Sequence, residues 1–528
     1  MPPRARDDAP DPTAVALAEP ALDPETVRRC LEMLEAIVGD RALLAGLPLQ
    51  LRQALLIAAG RVSRPDSYQE KRLVKALRRA GRRRGEAEDR AARAVTGIRL
   101  AREAPIFVPP PALPDADGQA PPRELKKPRS CYVCKAEFTR LHHFYDALCR
   151  DCADLNYAKR FQTASLAGRV GLVTGARVKI GYQAALKMLR AGCQVIATTR
   201  FPHDAALRYS REPDFGEWKH RLHVHGLDLR HSPSVEIFAR YVEGRFDRLD
   251  LLVNNACQTV RRPPGFYAHL LENESRPASD FPEEIRALLE SHGKLASALD
   301  GGPSLPKGPG VDGTGLMAWH GGRGGIGITS SSDLSQVRYA YDDATRRSDL
   351  FPDGRVDADL QQLDLRLQNS WRLALAEVPT PEMLEVQLVN AVAPFILCAR
   401  LKALMLRAPS RDKHVVNVSA MEGIFSRGPK TDKHPHTNMA KAALNMMTLT
   451  AARDYVNDGI HMNAVDTGWV TDEDPQVHAE RKRQELGFQP PLDVVDGASR
   501  ACDPFFSGLL AGVHVWGKFL KDYKPSAW

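Results

Sequence analysis

Residues 169–189 read RVGLVTGARVKIGYQAALKML, and the fold is decided there. A short apolar run (Val170, Leu172, Val173) precedes Thr174-Gly175, a basic segment, Ile180-Gly181 and an amphipathic run. That order predicts a strand, a tight turn and a helix. Glycine lets backbone N–H groups approach a pyrophosphate closely, and the start of a helix presents its positive dipole end to the same anion. The stretch therefore reads as a phosphate cradle, with the rest of a nucleotide-binding domain downstream and attachments upstream.

The downstream sequence alternates buried strands with helical segments. Residues 194–199 (QVIATT) end at Arg200, residues 222–227 lead to Asp228, and residues 249–255 (LDLLVNN), 414–419 (HVVNVS) and 460–465 follow, with a helix around 440–455. This alternation predicts an α/β class, a doubly wound parallel sheet of the Rossmann type.

The chain has 528 residues, 43% hydrophobic and 26% charged, an ordinary composition for two or three folded units. No apolar run reads as membrane-spanning and the start, MPPRARDDAPDP, lacks the apolar core of a signal peptide, so the expected address is cytoplasmic with no membrane partner. The net charge of +8 is local: residues 71–84 (KRLVKALRRAGRRR) hold eight basic residues and no acidic one. Such a helix reads first as a solvated face or a contact for an acidic patch. Nucleic acid is the less favoured partner, because no recognised motif accompanies the charge.

Upstream, residues 1–22 read as a disordered tail, and residues 23–104 as a helical domain starting at Asp23-Pro24-Glu25, with Val27, Leu31, Leu34, Ile37 and Val38 at helical spacing. Residues 105–130 read as a Pro-rich linker. Residues 131–161 carry two CxxC pairs, Cys131/Cys134 and Cys149/Cys152, fourteen residues apart. Four thiolates on two knuckles suit one tetrahedral zinc, and four protein ligands leave no open position, so the expected role is structural. His142 and His143 are alternative ligands, and Tyr132, Phe138, Phe144 and Tyr145 the expected small core. Five further cysteines are scattered singly, which fits a reducing compartment better than a disulfide framework.

Taken together, residues 165–523 resemble the short-chain dehydrogenase/reductase family. The matching signatures are Thr174-Gly175 with Ile180-Gly181, Asp228-Leu229, Asn254-Asn255-Ala256, Asn390, Asn417-Val418-Ser419, Lys441, and Asn463-Ala464-Val465 leading to Gly468. The resemblance implies that Thr174, Gly175, Ile180 and Gly181 line the pyrophosphate, Asp228 and Leu229 the adenine, and Asn254 and Ala256 the inner face of the cofactor. Lys441 would hold the nicotinamide ribose and Asn390 order a water beside it. Arg200 stands where an acidic residue would hold the ribose of NAD; a guanidinium suits the 2′-phosphate of NADP, with Arg177 and Lys179 adding charge nearby. The cofactor expected is NADP, with NAD the alternative.

Four positions depart from the family pattern. The tyrosine of its Ser-Tyr-Lys core is Thr437, the catalytic serine Ala420, the middle glycine of the cofactor turn Lys179, and the proline before Gly468 is Thr467. An aliphatic hydroxyl is too weak an acid to replace a phenol unaided. His434, His436 and Glu422 are the other proton carriers near this site, so the candidate catalytic set is Lys441, Asn390, Thr437 and His436.

Asn255 and Asn390 are 135 positions apart, which places an insertion at about 259–370 in a domain running 165–528. It contains a helical piece at 281–298 and a GxGxxG match at 322–327 that reads as a decoy, since no strand-turn-helix unit surrounds it. Its default is a surface loop, with a substrate lid or a partner surface the alternatives. Residues 517–520 read as the last strand, and relatives' habits imply a homo-oligomer. The leading functional expectation is an NADP(H)-dependent oxidoreductase acting on a carbonyl/alcohol pair, the substrate unknown, with a non-standard proton donor. The alternatives are a non-catalytic NAD(P)-binding scaffold or sensor and, weaker, a nucleic-acid-binding protein.

Overall fold

The computed structural model describes residues 23–111, 123–300, 331–336, 349–426, 428 and 430–528. The expected tail at 1–22 and the GxGxxG match at 322–327 lie outside them. The chain divides into two units, residues 1–84 and 85–528.

The first unit is helical. Helices α1 (Pro24–Gly39), α2 (Leu49–Ser63) and α3 (Ser67–Ala94) follow one another. Asp23 caps α1, accepting the Thr26 N–H at 3.0 Å. Among the described residues of this unit Leu44 alone is a buried hydrophobic, while Leu31, Leu56, Leu73 and Leu77 are more than half exposed. Among its described residues the unit shows no apolar core of its own, and the basic run of α3 is solvent-facing throughout.

The second unit opens with α4 (Gly97–Glu103), β1 (Glu124–Ser130), β2 (Glu137–Arg140) and α5 (Arg150–Phe161). Two expected boundaries shift here. Helix α4 belongs with the cysteine module and not with the helical domain, because Gly97 and Ile98 donate their N–H groups to His143 and Phe144 carbonyls and Arg99 pairs with buried Asp146. Residues 124–130, read as the end of the linker, form β1 antiparallel to β2. ELKKPRS looks like linker because it is a charged edge strand, where lysine and proline are tolerated.

The remainder is the expected doubly wound sheet: β3 (Val170–Thr174), α6 (Lys179–Arg190), β4 (Gln194–Thr199), α7 (Pro202–Tyr209), α8 (Phe215–Trp218), β5 (Leu222–Gly226), α9 (Ser232–Arg245) and β6 (Leu251–Asn254). The insertion brings α10 (Ala268–Ser275) and α11 (Glu283–Asp300). Then come α12 (Thr380–Gln387), α13 (Ala393–Arg407), β7 (Lys413–Ser419), α14 (Pro435–Asn457), β8 (Ile460–Asp466), α15 (Gln476–Leu486), α16 (Val494–Ala511), β9 (Phe519–Lys521) and β10 (Lys524–Ser526). The strand order is β10-β9-β8-β7-β6-β3-β4-β5; β3 to β9 run parallel, and β10 turns back against β9. Side chains of α6, α7, α11 and α16 cover one face and those of α9, α13 and α14 the other. Burial on both faces is why the strands read as continuous apolar runs.

Among the described residues one helix passes, by length and composition, as a membrane span: Thr380–Arg407, in which a π turn at Leu388–Val392 joins α12 to α13. Its reading as a core element rests on packing, since Leu397, Leu401 and Leu404 join the sheet core and Glu382, Glu385 and Asn390 are buried polar groups.

Candidate dinucleotide crevice

Strand order reverses between β3 and β6, and the crevice outside their carboxyl ends is where ligands bind in such sheets. The turn after β3 is stitched to the end of β6. Thr174 Oγ1 accepts the N–H groups of Asn255 and Ala256, each at 3.0 Å, and Asn255 Nδ2 donates to the Thr174 carbonyl at 3.0 Å. Gly175 has φ +67°, and a Cβ on it would stand 2.9 Å from Ala256 Cα; a Cβ on Gly181 would stand 2.3 Å from Asn255 Nδ2. Only glycine fits at either position. Lys179 occupies the left-handed region at φ +55° where the family has glycine. Burial works against its charge, but Glu473, Asp359 and Asp357 more than offset it and hold the ammonium charged.

The other expected cations carry partners from this chain. Arg177 donates to Asp204 at 2.7 Å. Asp228, expected to line adenine, pairs with Arg230, which also pairs with Glu385 at 3.1 Å. The pairing has a local cause, for a carboxylate this buried needs a cation and Arg230 lies two residues on. Leu229 is buried in the core beside it. Arg200 differs, since no carboxylate pairs with it among the described residues. Its guanidinium donates to Ser335 Oγ at 3.1 Å and to the Tyr267 hydroxyl at 2.9 Å, and Arg230 donates to the same Ser335 oxygen at 3.0 Å.

The insertion thus reaches into the crevice. Ser331 Oγ donates to the Arg200 carbonyl, the Asp359 carbonyl accepts from Arg208 at 2.7 Å, and Asp364 pairs with Arg262 and Arg366. At the far end Ser370 Oγ accepts the Arg261 N–H at 2.9 Å.

The structure brings the candidate catalytic residues together in a closed locus. Asn390, Thr437, His436 and Lys441 are each at most 3% exposed. Lys441 Nζ donates to the Val418 carbonyl at 2.8 Å. Asn390 sits on the π turn, and its amide exchanges two bonds with the backbone of Gln258, at 2.8 and 3.0 Å. Asn254 donates to Asn417 at 2.8 Å, behind the crevice floor. Thr437 Oγ1 and both ring nitrogens of His436 have no hydrogen-bond partner among the described residues. Burial, and after it His434, pulls the His436 imidazole down to about 4, so it is uncharged at neutral pH. Its Nε2 lies 3.8 Å from Glu382 Oε1, and burial pushes that carboxyl up against the hydrogen bonds of Ser370 and the Arg261 amide. His434 caps α14 in the left-handed region and stacks on Trp371, ring centroids 3.9 Å apart.

Sequence reasoning missed Glu382, Glu385, Arg230 and Ser335. The first two carried a signal: carboxylates three apart on the apolar stretch just before Asn390. Ser335 carried none.

The sulfur atoms of Cys131, Cys134, Cys149 and Cys152 lie within 4.8 Å of one another, a donor set that fits one tetrahedral zinc. His142 is not part of it; its Nδ1 accepts the Phe144 N–H at 3.0 Å, so the ring holds the turn. His143 likewise lies outside the set.

Residues 169–273 match the family described as short chain dehydrogenase, and residues 366–487 the one described as Enoyl-(Acyl carrier protein) reductase, on either side of the insertion. The Uncharacterized protein R665 of Acanthamoeba polyphaga mimivirus is 33% identical over 389 residues, 72% of this chain and 71% of that protein. The (-)-isopiperitenone reductase of Mentha piperita is 35% identical over 91 residues, 17% of this chain and 28% of that enzyme. Among solved structures, the Pseudomonas aeruginosa RhlG/NADP active-site complex aligns with TM-score 0.39 and 18% identity, over 67% of this chain and 95% of that one. The chain belongs to the short-chain dehydrogenase/reductase family.

Proposed function

We propose that this protein is an NADP(H)-dependent oxidoreductase acting on a carbonyl/alcohol pair, with a proton route that does without tyrosine. The observation that carries the reading is Arg200: a guanidinium at the end of β4, unpaired with any carboxylate among the described residues, converging with Arg230 on one oxygen, Ser335 Oγ. Two guanidiniums aimed at one oxygen suit a phosphate, which selects NADP over NAD. Gly175, Lys179, Ile180 and Gly181 would hold the diphosphate and Lys441 the ribose; the bound dinucleotide supplies the hydride. Glu382 and His436, buried beside Thr437 with unmatched polar atoms, are the groups able to exchange a proton there. Zinc on the four clustered cysteines is structural in this reading. The address is a reducing compartment such as the cytoplasm, because four cysteines cluster as metal ligands and the other five stand singly. A homo-oligomer, or a protein partner met through the insertion or the helical unit, remains part of the proposal.

A second reading, a dinucleotide-binding sensor without turnover, is favoured by Thr437 and Ala420 and by the closure of the locus around them. One set of titrations separates the two. NADPH is expected to bind more tightly than NADH, and Arg200→Ala to weaken NADPH by about 10- to 100-fold, roughly 1.4–2.7 kcal/mol, while sparing NADH. Hydride transfer to a panel of aldehydes and ketones, lost in Lys441→Ala, supports the oxidoreductase; tight NADPH binding with no transfer supports the sensor. Tighter NADH than NADPH binding overturns the cofactor assignment.

A further inference from the structure

The cysteine module does not stand apart from the crevice. Its apolar core, built from Ile98, Phe138, Phe144, Tyr145 and Leu148 with Cys131, continues into Val470, Leu492 and Val494 of the dehydrogenase domain, and Ile180 of the phosphate turn packs against it. Val470 lies on the loop that follows β8 and runs on to Glu473, the carboxylate beside Lys179. The module holds that loop at two points. The Tyr132 hydroxyl, between two of the clustered cysteines, accepts the Trp469 N–H at 2.9 Å, and Arg102 of α4 donates to the carbonyls of Pro490 and Leu492 and, at 3.5 Å, to that of Val470. Gly468 has φ +76°, and a Cβ there would meet Leu492 at 2.5 Å and the Tyr132 hydroxyl at 3.3 Å, so the loop and the module are closely fitted.

The anchorage behind these contacts is polar and buried. Arg160 of α5 pairs with Asp493 at 2.6 Å and Asp496 at 2.9 Å, and the Tyr145 hydroxyl donates to Asp496 at 2.5 Å. Asn156 accepts from Arg500 at 2.7 Å. These bonds fix α5 to the start of α16, whose Gly497 leaves room for Ile180, since a Cβ there would stand 2.8 Å from it. The cysteines, the loop after β8 and the phosphate turn form one continuous packed body.

We infer that the Cys131–Cys134–Cys149–Cys152 site is a positioning element for the dinucleotide crevice: metal bound there sets the knuckle that carries Tyr132, Tyr132 and the module core set the loop 468–473 and Ile180, and metal and dinucleotide therefore bind cooperatively. This rests on the dinucleotide reading above. A metal-binding knuckle loses its fixed shape without its ion. The loss passes to the crevice through Trp469, whose N–H the Tyr132 hydroxyl accepts, and through Ile180, which bridges the module core and the sheet core. Tyr132 acts through the loop and touches no ligand, so it is a positioning residue.

The test uses the full chain, zinc-loaded and zinc-stripped by chelation, with NADPH as the probe. Stripping is expected to weaken NADPH binding about tenfold or more and to speed amide exchange across residues 467–475; added zinc restores both. Coupling is reciprocal, so saturating NADPH must tighten zinc against a competing chelator by the same factor. Because the stripped chain or a cysteine variant can unfold, Tyr132→Phe provides the independent check. It keeps the four ligands and the aromatic core, and is expected to retain full zinc and an unchanged melting temperature while weakening NADPH about 3- to 10-fold and exposing the Trp469 amide to exchange. Equal NADPH affinity in Tyr132→Phe and the unaltered chain, or in folded stripped and loaded protein, overturns the coupling and leaves the dinucleotide reading standing. A zinc-loaded chain that binds no NADPH overturns both.

Discussion

Lys179 and Ile180 are neighbours in sequence, yet they face opposite kinds of packing. Ile180 joins the apolar core of the cysteine module, whereas Lys179 lies in the field of the Glu473, Asp359 and Asp357 carboxylates. Apolar contact is non-directional and not screened by salt, so on the module side a ligand's charge cannot substitute for it. The insertion side is rich in charge pairs, Arg177–Asp204 and Arg230–Asp228 in the sheet domain and Arg262–Asp364 within the insertion among them. Such pairs are screened by salt, and an incoming phosphate offers the same charge as the carboxylate it replaces. One flank is a fixed wall and the other is exchangeable.

The largest effect expected from breaking this contrast is on the fixed side. Arg160→Ala leaves the Asp493 and Asp496 carboxylates facing each other in the core, and should lower stability by about 3–5 kcal/mol in denaturant unfolding. A loss below about 1 kcal/mol would mean that the module is only loosely docked. On the exchangeable side, Lys179→Met should weaken NADPH about tenfold at low salt and flatten the dependence of its Kd on ionic strength. An unchanged salt slope would remove Lys179 from phosphate binding. The smallest effect concerns His225, fully buried at the end of β5 against His292 of the insertion, with both ring nitrogens unpaired among the described residues. Burial first, then His292 and His223, depress its pKa well below 6.5. The unfolded chain therefore takes up the proton first, and stability contributed above pH 6.5 is lost as pH falls toward the folded value. His225→Leu should flatten that acid limb in thermal melts between pH 7 and pH 5; an unchanged slope would show that this contact opens before the ring can titrate.

How far the sequence discloses this molecule follows the range of the interactions. Residues 169–189 announce strand, turn and helix because apolar period and glycine placement are local properties. The cysteine cluster is equally legible, since two CxxC pairs at short spacing have few other uses. The mimicry of a linker by residues 124–130 arises because an edge strand looks polar. Residues meeting across the insertion stay hidden: Ser335 and Arg200 are brought together from 135 positions apart, and no spacing rule predicts it. Tyr132 is hidden for the same reason. It reads as core of a small knuckle, while its hydroxyl serves a loop 337 residues away.

The π turn at Leu388–Val392 carries a consequence of another kind. A turn of this type holds one residue more than an α-helical turn, so it sets the rotational phase between the two helices it joins. Deleting a single residue there would restore a regular hydrogen-bond ladder and turn α12 by about 100° relative to α13. Asn390 would swing off the Gln258 backbone, and Glu382 and Glu385 would leave the crevice wall for another face of the helix. A locally more regular helix would come at the cost of the wall that positions the chemistry, so one residue of apparent excess sets the angular register of the whole site.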